Sequence, residues 1–224
     1  MGREIDFISS IHKATKRDYL ARVNDAEFPK YRCAELASNW AYDYWDGDRR
    51  ICYGGYDYQE GRWSSVAASM VDHYGLKRGD RILDVGCGKG FQLVEFLPTL
   101  DASHLFGLDI SDYALSMAHA NLVRENLFRS SAADLPFESG YFDFVYSINT
   151  LHNLSIKDLF KAIKEIDRVA GNSYIVVESY RSEKEKQNLL YWQVTCKSFY
   201  SVDDWLWIFD QCGYCGDYSF IFFE

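Results

Sequence analysis

Asp80-Arg-Ile-Leu-Asp-Val-Gly-Cys-Gly-Lys-Gly90 is the stretch on which the rest of the chain is organised. Ile82, Leu83 and Val85 surround a single acid, Asp84, and glycine then recurs at 86, 88 and 90. A short apolar run bounded by turn residues is how a strand buried on both faces reads. Glycine has no Cβ, so the turn can take positive φ and its backbone can be approached closely. A helix is expected from about Lys89 to Leu97, aiming unpaired N–H groups at the same place. A carboxylate or ribose suits such a setting.

Strands and helices alternate downstream. Strands are expected at 81–85, 104–108, 127–131, 142–147 and 173–178, and helices at 89–97, 111–125 and 155–169. Ser155 caps the last of these, with Asp158 three residues on and Leu159, Ile163 and Ile166 on one face. Ser201-Val-Asp-Asp204 opens a further helix to about Gln211, and Asp217–Glu224 reads as a final strand. The pattern is that of an α/β fold with a doubly wound, mostly parallel sheet. Residues 181–200 form a partly helical insertion after strand five.

The segment Asp84-Val-Gly86-Cys-Gly88-Lys-Gly90 resembles the first motif of the class I S-adenosylmethionine (SAM)-dependent methyltransferases, acid-x-Gly-x-Gly-x-Gly after strand one. The rival dinucleotide pattern needs a third glycine at 91, where Phe91 stands, so an NAD-dependent oxidoreductase is disfavoured. The resemblance covers residues 80–180 closely and 200–224 loosely, and it implies a Rossmann-like core that binds SAM. It assigns the ribose hydroxyls to Asp109, 25 residues after Asp84, with Ile110 packed on adenine. Asp134, in Ala133-Asp-Leu-Pro-Phe137, would accept from the adenine amine with Leu135 against the ring. Cys87 in the glycine turn and Ser147 at the end of strand four complete the expected cofactor wall. The family closes its sheet with a hairpin, whereas this chain shows one final strand. A second reading is an inactive methyltransferase fold serving as a binding or scaffold protein. Such proteins usually lose the glycines or the ribose acid, and Gly86, Gly88, Gly90 and Asp109 are all intact.

The 224 residues carry a formal net charge of −9, which argues against a general attraction to nucleic acid phosphates. No apolar run approaches a membrane span. The N-terminus has no signal-peptide core, and six scattered cysteines suit a reducing cytoplasm. Cys212-Gly-Tyr-Cys215 lacks a second ligand pair for zinc and reads as part of a helix-to-strand turn. No metal is expected.

Residues 1–78 read as a mostly helical arm ahead of a core at 79–224. Ile5, Ile8 and Ile11 have helical spacing, a second helix is expected at 33–44, and Ser64 or Ser65 would cap a third ending at Gly75. From Trp40 to Trp63 inclusive there are eight aromatic residues among glycines. They suit either a docking surface or a lid over the cofactor, with Arg49, Arg50, Tyr53, Tyr56, Arg62 and Trp63 offered to an acceptor.

Strand four ends in Ser147-Ile-Asn-Thr-Leu-His-Asn-Leu154. Methyltransferases that act on base amines commonly carry Asn/Asp-Pro-Pro-aromatic there, so a small-molecule acceptor is expected rather than nucleic acid. His152 is a candidate base or a loop-bonding histidine. Glu178 is a second candidate base, an arginine partner or strand-end polarity, and Arg181 is a candidate for an anionic acceptor. A weaker resemblance, carried by the aromatic lid and the tail, is to bacterial methyltransferases of surface-polysaccharide and sugar-derivative biosynthesis. It implies transfer to a sugar or phosphate-type oxygen.

Overall fold

A computed structural model describes residues 2–13 and 17–224. Met1 and residues 14–16 of the expected N-terminal arm lie outside the described residues. The apolar runs form six strands: β1 (Ile82–Val85), β2 (Leu105–Asp109), β3 (Leu127–Arg129), β4 (Phe142–Ile148), β5 (Ala170–Glu178) and β6 (Asp217–Ile221). They make one sheet in the order β3-β2-β1-β4-β5-β6, every pair parallel. Alternate side chains leave opposite faces of a strand, and here both faces are covered. Leu83, Val145 and Ile175 pack with Leu159, Ile163 and Phe209 on one side. Ile82, Phe144 and Val176 pack with Val66, Met70 and Leu93 on the other.

The helices are α1 (Ser9–Lys13), α2 (Tyr19–Asn24), α3 (Lys30–Ala37), α4 (Tyr42–Trp45), α5 (Ser64–Tyr74), α6 (Asp112–Ser116), α7 (Ile156–Val169), α8 (Glu183–Trp192) and α9 (Val202–Cys212). Ser155 caps α7 by accepting from Asp158 N, and Ser201 with Asp204 forms a capping box on α9. The insertion is helical because Ser182 caps α8.

Three expected helices differ. After the glycine turn the chain makes only a 3-10 helix, Leu93–Phe96, not a helix over 89–97. The helix over 111–125 stops at Ser116, because the Arg124 guanidinium takes the carbonyls of Leu115, Ser116 and Ala118 that another helical turn would use. The helix over 33–44 divides into α3 and α4 at Trp40, which has φ +54°. Neither Ser64 nor Ser65 caps α5. Trp63 occupies that position, and Ser64 Oγ donates to Glu95 instead.

The far edge of the sheet is closed from an unexpected direction. β6 lies parallel to β5, and the N-terminal segment runs along its outer side. Ile5 N donates to Tyr218 O at 2.9 Å, and Tyr218 N to Arg3 O at 3.1 Å. An exposed strand edge invites pairing with another chain, and these residues cover it.

Candidate active site

Parallel strands place their carboxyl ends along one edge of a sheet, and ligands of open α/β folds bind there. A cavity of about 750 Å³ opens at that edge, lined by the ends of β1, β2, β4, β5 and β6, the lid, and part of the insertion. Gly86 leaves β1 at φ +88° and Gly88 follows at +54°. A side chain at 86 would collide with Thr150, and one at 88 with the ring of Trp45. Gly86 N and Cys87 N both donate to Leu108 O, tying the turn to β2.

Asp109 ends β2. Its carboxylate accepts from Gly88 N and Ser111 N, each at 2.8 Å. Burial holds its carboxyl above the usual range, while the N–H groups of Ser111, Gly88 and Ile110 pull the other way. A carboxylate offers about four acceptor positions, so two oxygens already held by backbone can still take a pair of hydroxyls. Ile110, half exposed at the cavity wall, supplies an apolar face beside it. Cys87 and Gly88 line the same wall. This donor set fits the ribose and adenine of SAM.

Other expected cofactor residues stand elsewhere. Asp84 lies beneath the turn, accepts from Tyr146 Oη at 3.0 Å and is pushed up to about 8 by burial. It shapes the turn without lining the cavity. Gly90 faces Leu122, and Ser147 is wholly buried, donating to Val85 O. Asp134 is exposed and Leu135 is in the core. β3 ends at Arg129, earlier than expected, so Ser130, Ser131 and Ala132 form the wall in place of 134 and 135.

The aromatic segment at 40–63 both packs on the core and lines the cavity. Lys89, in the glycine turn and almost fully buried, places Nζ 2.7 Å from both oxygens of Asp46 and donates to Tyr56 O at 2.8 Å. Asp46 also accepts from Tyr56 N and Tyr113 Oη, and its carboxyl stays below the usual range despite burial. Trp45 Nε1 donates to Ser111 Oγ at 3.0 Å. Its ring stacks on Tyr53, and Tyr56 stacks on Phe91. Tyr53, Tyr56 and Trp63 all line the cavity.

Of the four expected arginines, Arg49 and Arg62 reach the cavity. Arg50 does not: it pairs with Glu27 and Asp48 and covers the Phe28 ring. Arg181 is likewise taken, by Glu185 and Glu224. Both are paired with carboxylates away from the cavity. Arg17, Arg22 and Trp192, from the arm and α8, line the cavity instead. No motif marks them, because their meeting depends on α2 packing against α8.

His152 and Glu178 do come together. Both are buried cavity residues, with Nε2 of His152 3.6 Å from Oε2 of Glu178. Burial pulls the imidazole down to about 3 and pushes the carboxyl up to about 8, the latter opposed by the Gln193 amide and by Arg17. Asn149, which the sequence reading passed over, sits beside them at φ +58°. Asparagine at a strand end is one of the few side chains that tolerate this backbone. Among the described residues, Asn149 Oδ1, His152 Nδ1 and Glu178 Oε2 are buried polar atoms with no protein hydrogen-bond partner.

Comparison with known proteins agrees with this architecture. The Methyltransferase domain family matches residues 83–175. A Bacillus subtilis protein named as a methyltransferase, YrhH, is 31% identical over 129 residues, which span 54% of this chain and 71% of the relative. Erythromycin 3''-O-methyltransferase of Saccharopolyspora erythraea is 33% identical over 113 residues, 47% of this chain and 37% of that enzyme. The chain spans 33% and 56% of two further relatives, one of them a sterol 24-C-methyltransferase of Schizosaccharomyces pombe, so acceptor chemistry varies among them. The crystal structure of YcgJ from Bacillus subtilis shares the fold, with TM-score 0.53 at 20% identity over 65% of this chain and 66% of that one. Among the described residues no helix is long and apolar enough to cross a membrane. With its all-parallel sheet, its glycine turn joined to Asp109 and these relatives, the chain belongs to the class I SAM-dependent methyltransferases.

Proposed function

We propose that this enzyme methylates an oxygen of a small molecule, a sugar derivative or a compound bearing a phosphate-type or other anionic group. His152 is the base and Glu178 stands behind it. The observation that carries this reading is the trio of unpartnered buried atoms on Asn149, His152 and Glu178 in one cavity with Asp109. Buried polar groups are nearly always satisfied, and those that are not call for a functional account.

Bound SAM supplies an electrophilic methyl carbon on a sulfonium. Asp109 would hold the ribose hydroxyls, and Ile110 with Ala132 would offer apolar surface to the adenine. Nδ1 of His152 would take the acceptor's hydroxyl proton, leaving the oxygen to accept the methyl as the sulfonium C–S bond breaks and S-adenosylhomocysteine leaves. Nε2–H of the same ring, turned toward Glu178, lets a carboxylate there steady the imidazolium, an arrangement shared by base–orienter pairs in general. The rings of Trp45, Tyr53 and Tyr56 wall the cavity with apolar surface, which would limit water beside the acceptor oxygen.

The test is methyl transfer from labelled SAM to a panel of sugars, sugar phosphates and hydroxy acids. In His152→Gln, turnover on the acceptor found should fall by roughly 10²–10⁴-fold. S-Adenosylhomocysteine affinity, read by calorimetry, should stay within error of wild type. Full turnover in that variant would remove His152 from the chemistry.

A further inference from the structure

The arm and the insertion helix bring into the cavity a set of cations that the methyl-transfer chemistry does not use. We propose that Arg17, Arg22 and Arg49, gathered around Trp192, form an anion subsite that holds a phosphate or carboxylate of the acceptor beside the His152–Glu178 pair. The proposal rests on the reading of the site as an acceptor cavity and names the handle by which the acceptor is held.

The guanidinium carbons of Arg17, Arg22 and Arg49 lie 5.4, 5.4 and 5.8 Å from the Trp192 ring centre. Arg17 also lies 4.8 Å from the ring of Phe223, just beyond β6. Across the sheet edge the strand ends run from Asp109 on β2, past the glycine turn on β1 and His152 after β4, to Glu178 on β5 and then β6. Arg17, beside Phe223, therefore stands toward the β6 end of the cavity, away from Asp109 on β2.

Like charges this close repel one another, and burial adds to the penalty. Burial lowers the Arg22 guanidinium pKa, and Arg49 beside it lowers it further. In a chain of net charge −9, acids to offset such charges are plentiful. Arg50, Arg78, Arg129, Arg168 and Arg181 each have one. Among the described residues, Arg22 and Arg49 have none. Arg22 spends its terminal nitrogens on the carbonyls of Arg49, Arg50 and Ile51, and its Nε is buried without an acceptor. Arg49 donates to Cys52 O. Arg22 and Arg49, kept apart from carboxylates and close to an indole, are arranged for an incoming oxyanion, which planar guanidinium groups bind by paired hydrogen bonds. The Trp192 face holds them in place through cation–π contact.

Calorimetric titration of the full chain with inorganic phosphate, and separately with citrate, tests this with and without saturating S-adenosylhomocysteine. Wild type should bind one of the two at a single site. Arg49→Gln and Arg22→Gln should each weaken that binding by about tenfold or more. The stronger probe identifies phosphate or carboxylate as the handle. Arg22 also braces the loop at 49–51, so Arg49, whose side chain is at the exposed rim, is the decisive position. Absence of single-site binding to wild type, or equal affinity in Arg49→Gln, overturns the subsite. S-Adenosylhomocysteine binding reports separately on the methyltransferase reading. If it binds while neither anion does, only the subsite fails. If Arg49-dependent anion binding occurs without it, the subsite stands and the cofactor reading fails.

Discussion

Replacing Glu178 by glutamine tests the electrostatics of the site through stability as well as rate. The carboxyl is buried, and its pKa is displaced from 4.5 to about 8, mainly by loss of water. Between those two values the folded chain keeps a proton that the unfolded chain has released. By linkage, stability falls as pH rises across that window, by about 1.4 kcal/mol per pH unit for one proton. The loss reaches several kcal/mol by pH 8. Glutamine has no proton to release, and its carbonyl can still accept from Gln193, the partner of Glu178 Oε1. Urea unfolding at successive pH values from 5 to 9 should therefore give a steeper decline for wild type than for Glu178→Gln. Asp84, also pushed up to about 8, declines alike in both and cancels in the difference. His152, pulled down to about 3, has the opposite sign and acts below pH 6.5. The rate should move the other way: wild-type kcat/KM rises through about pH 8 as the carboxylate forms behind the imidazole, and the variant lacks that rise. Parallel stability curves for the two proteins would refute the buried, protonated Glu178 on which the argument depends.

Two further outcomes follow from the cofactor side. Asp109→Ala should weaken S-adenosylhomocysteine by at least about tenfold, the loss of charge-assisted bonds to two hydroxyls, and calorimetry with a circular dichroism check on folding measures it. Lys89→Met should lower stability by about 3 kcal/mol, since it leaves Asp46 partly buried without its cation. Adding Asp46→Asn should restore part of that in a double-mutant cycle of urea unfolding.

The sequence by itself determined the sheet, the glycine turn and Asp109, because those depend on local rules. An apolar run must be buried, glycine alone accepts the turn's backbone, and an acid at a strand end lands on the ligand edge. Ser155, Ser201 and the face of α7 were legible for the same reason, capping and 3.6-residue periodicity being properties of a few neighbouring residues. His152 and Glu178 could each be named from position, but their pairing required β4 and β5 to be neighbours in the sheet.

Only the tertiary structure decided the rest. Asp134 was misplaced because a loop that leaves its strand two residues early shifts every later side chain. Arg50 and Arg181 were drawn away by carboxylates, Asp48 and Glu185 close by in the chain and Glu27 and Glu224 brought alongside only by the fold. Arg17 and Arg22 entered the cavity because α2 packs on a helix some 170 residues later in the chain. Long-range packing and charge pairing are settled by which surfaces meet, and that information lies in the folded geometry.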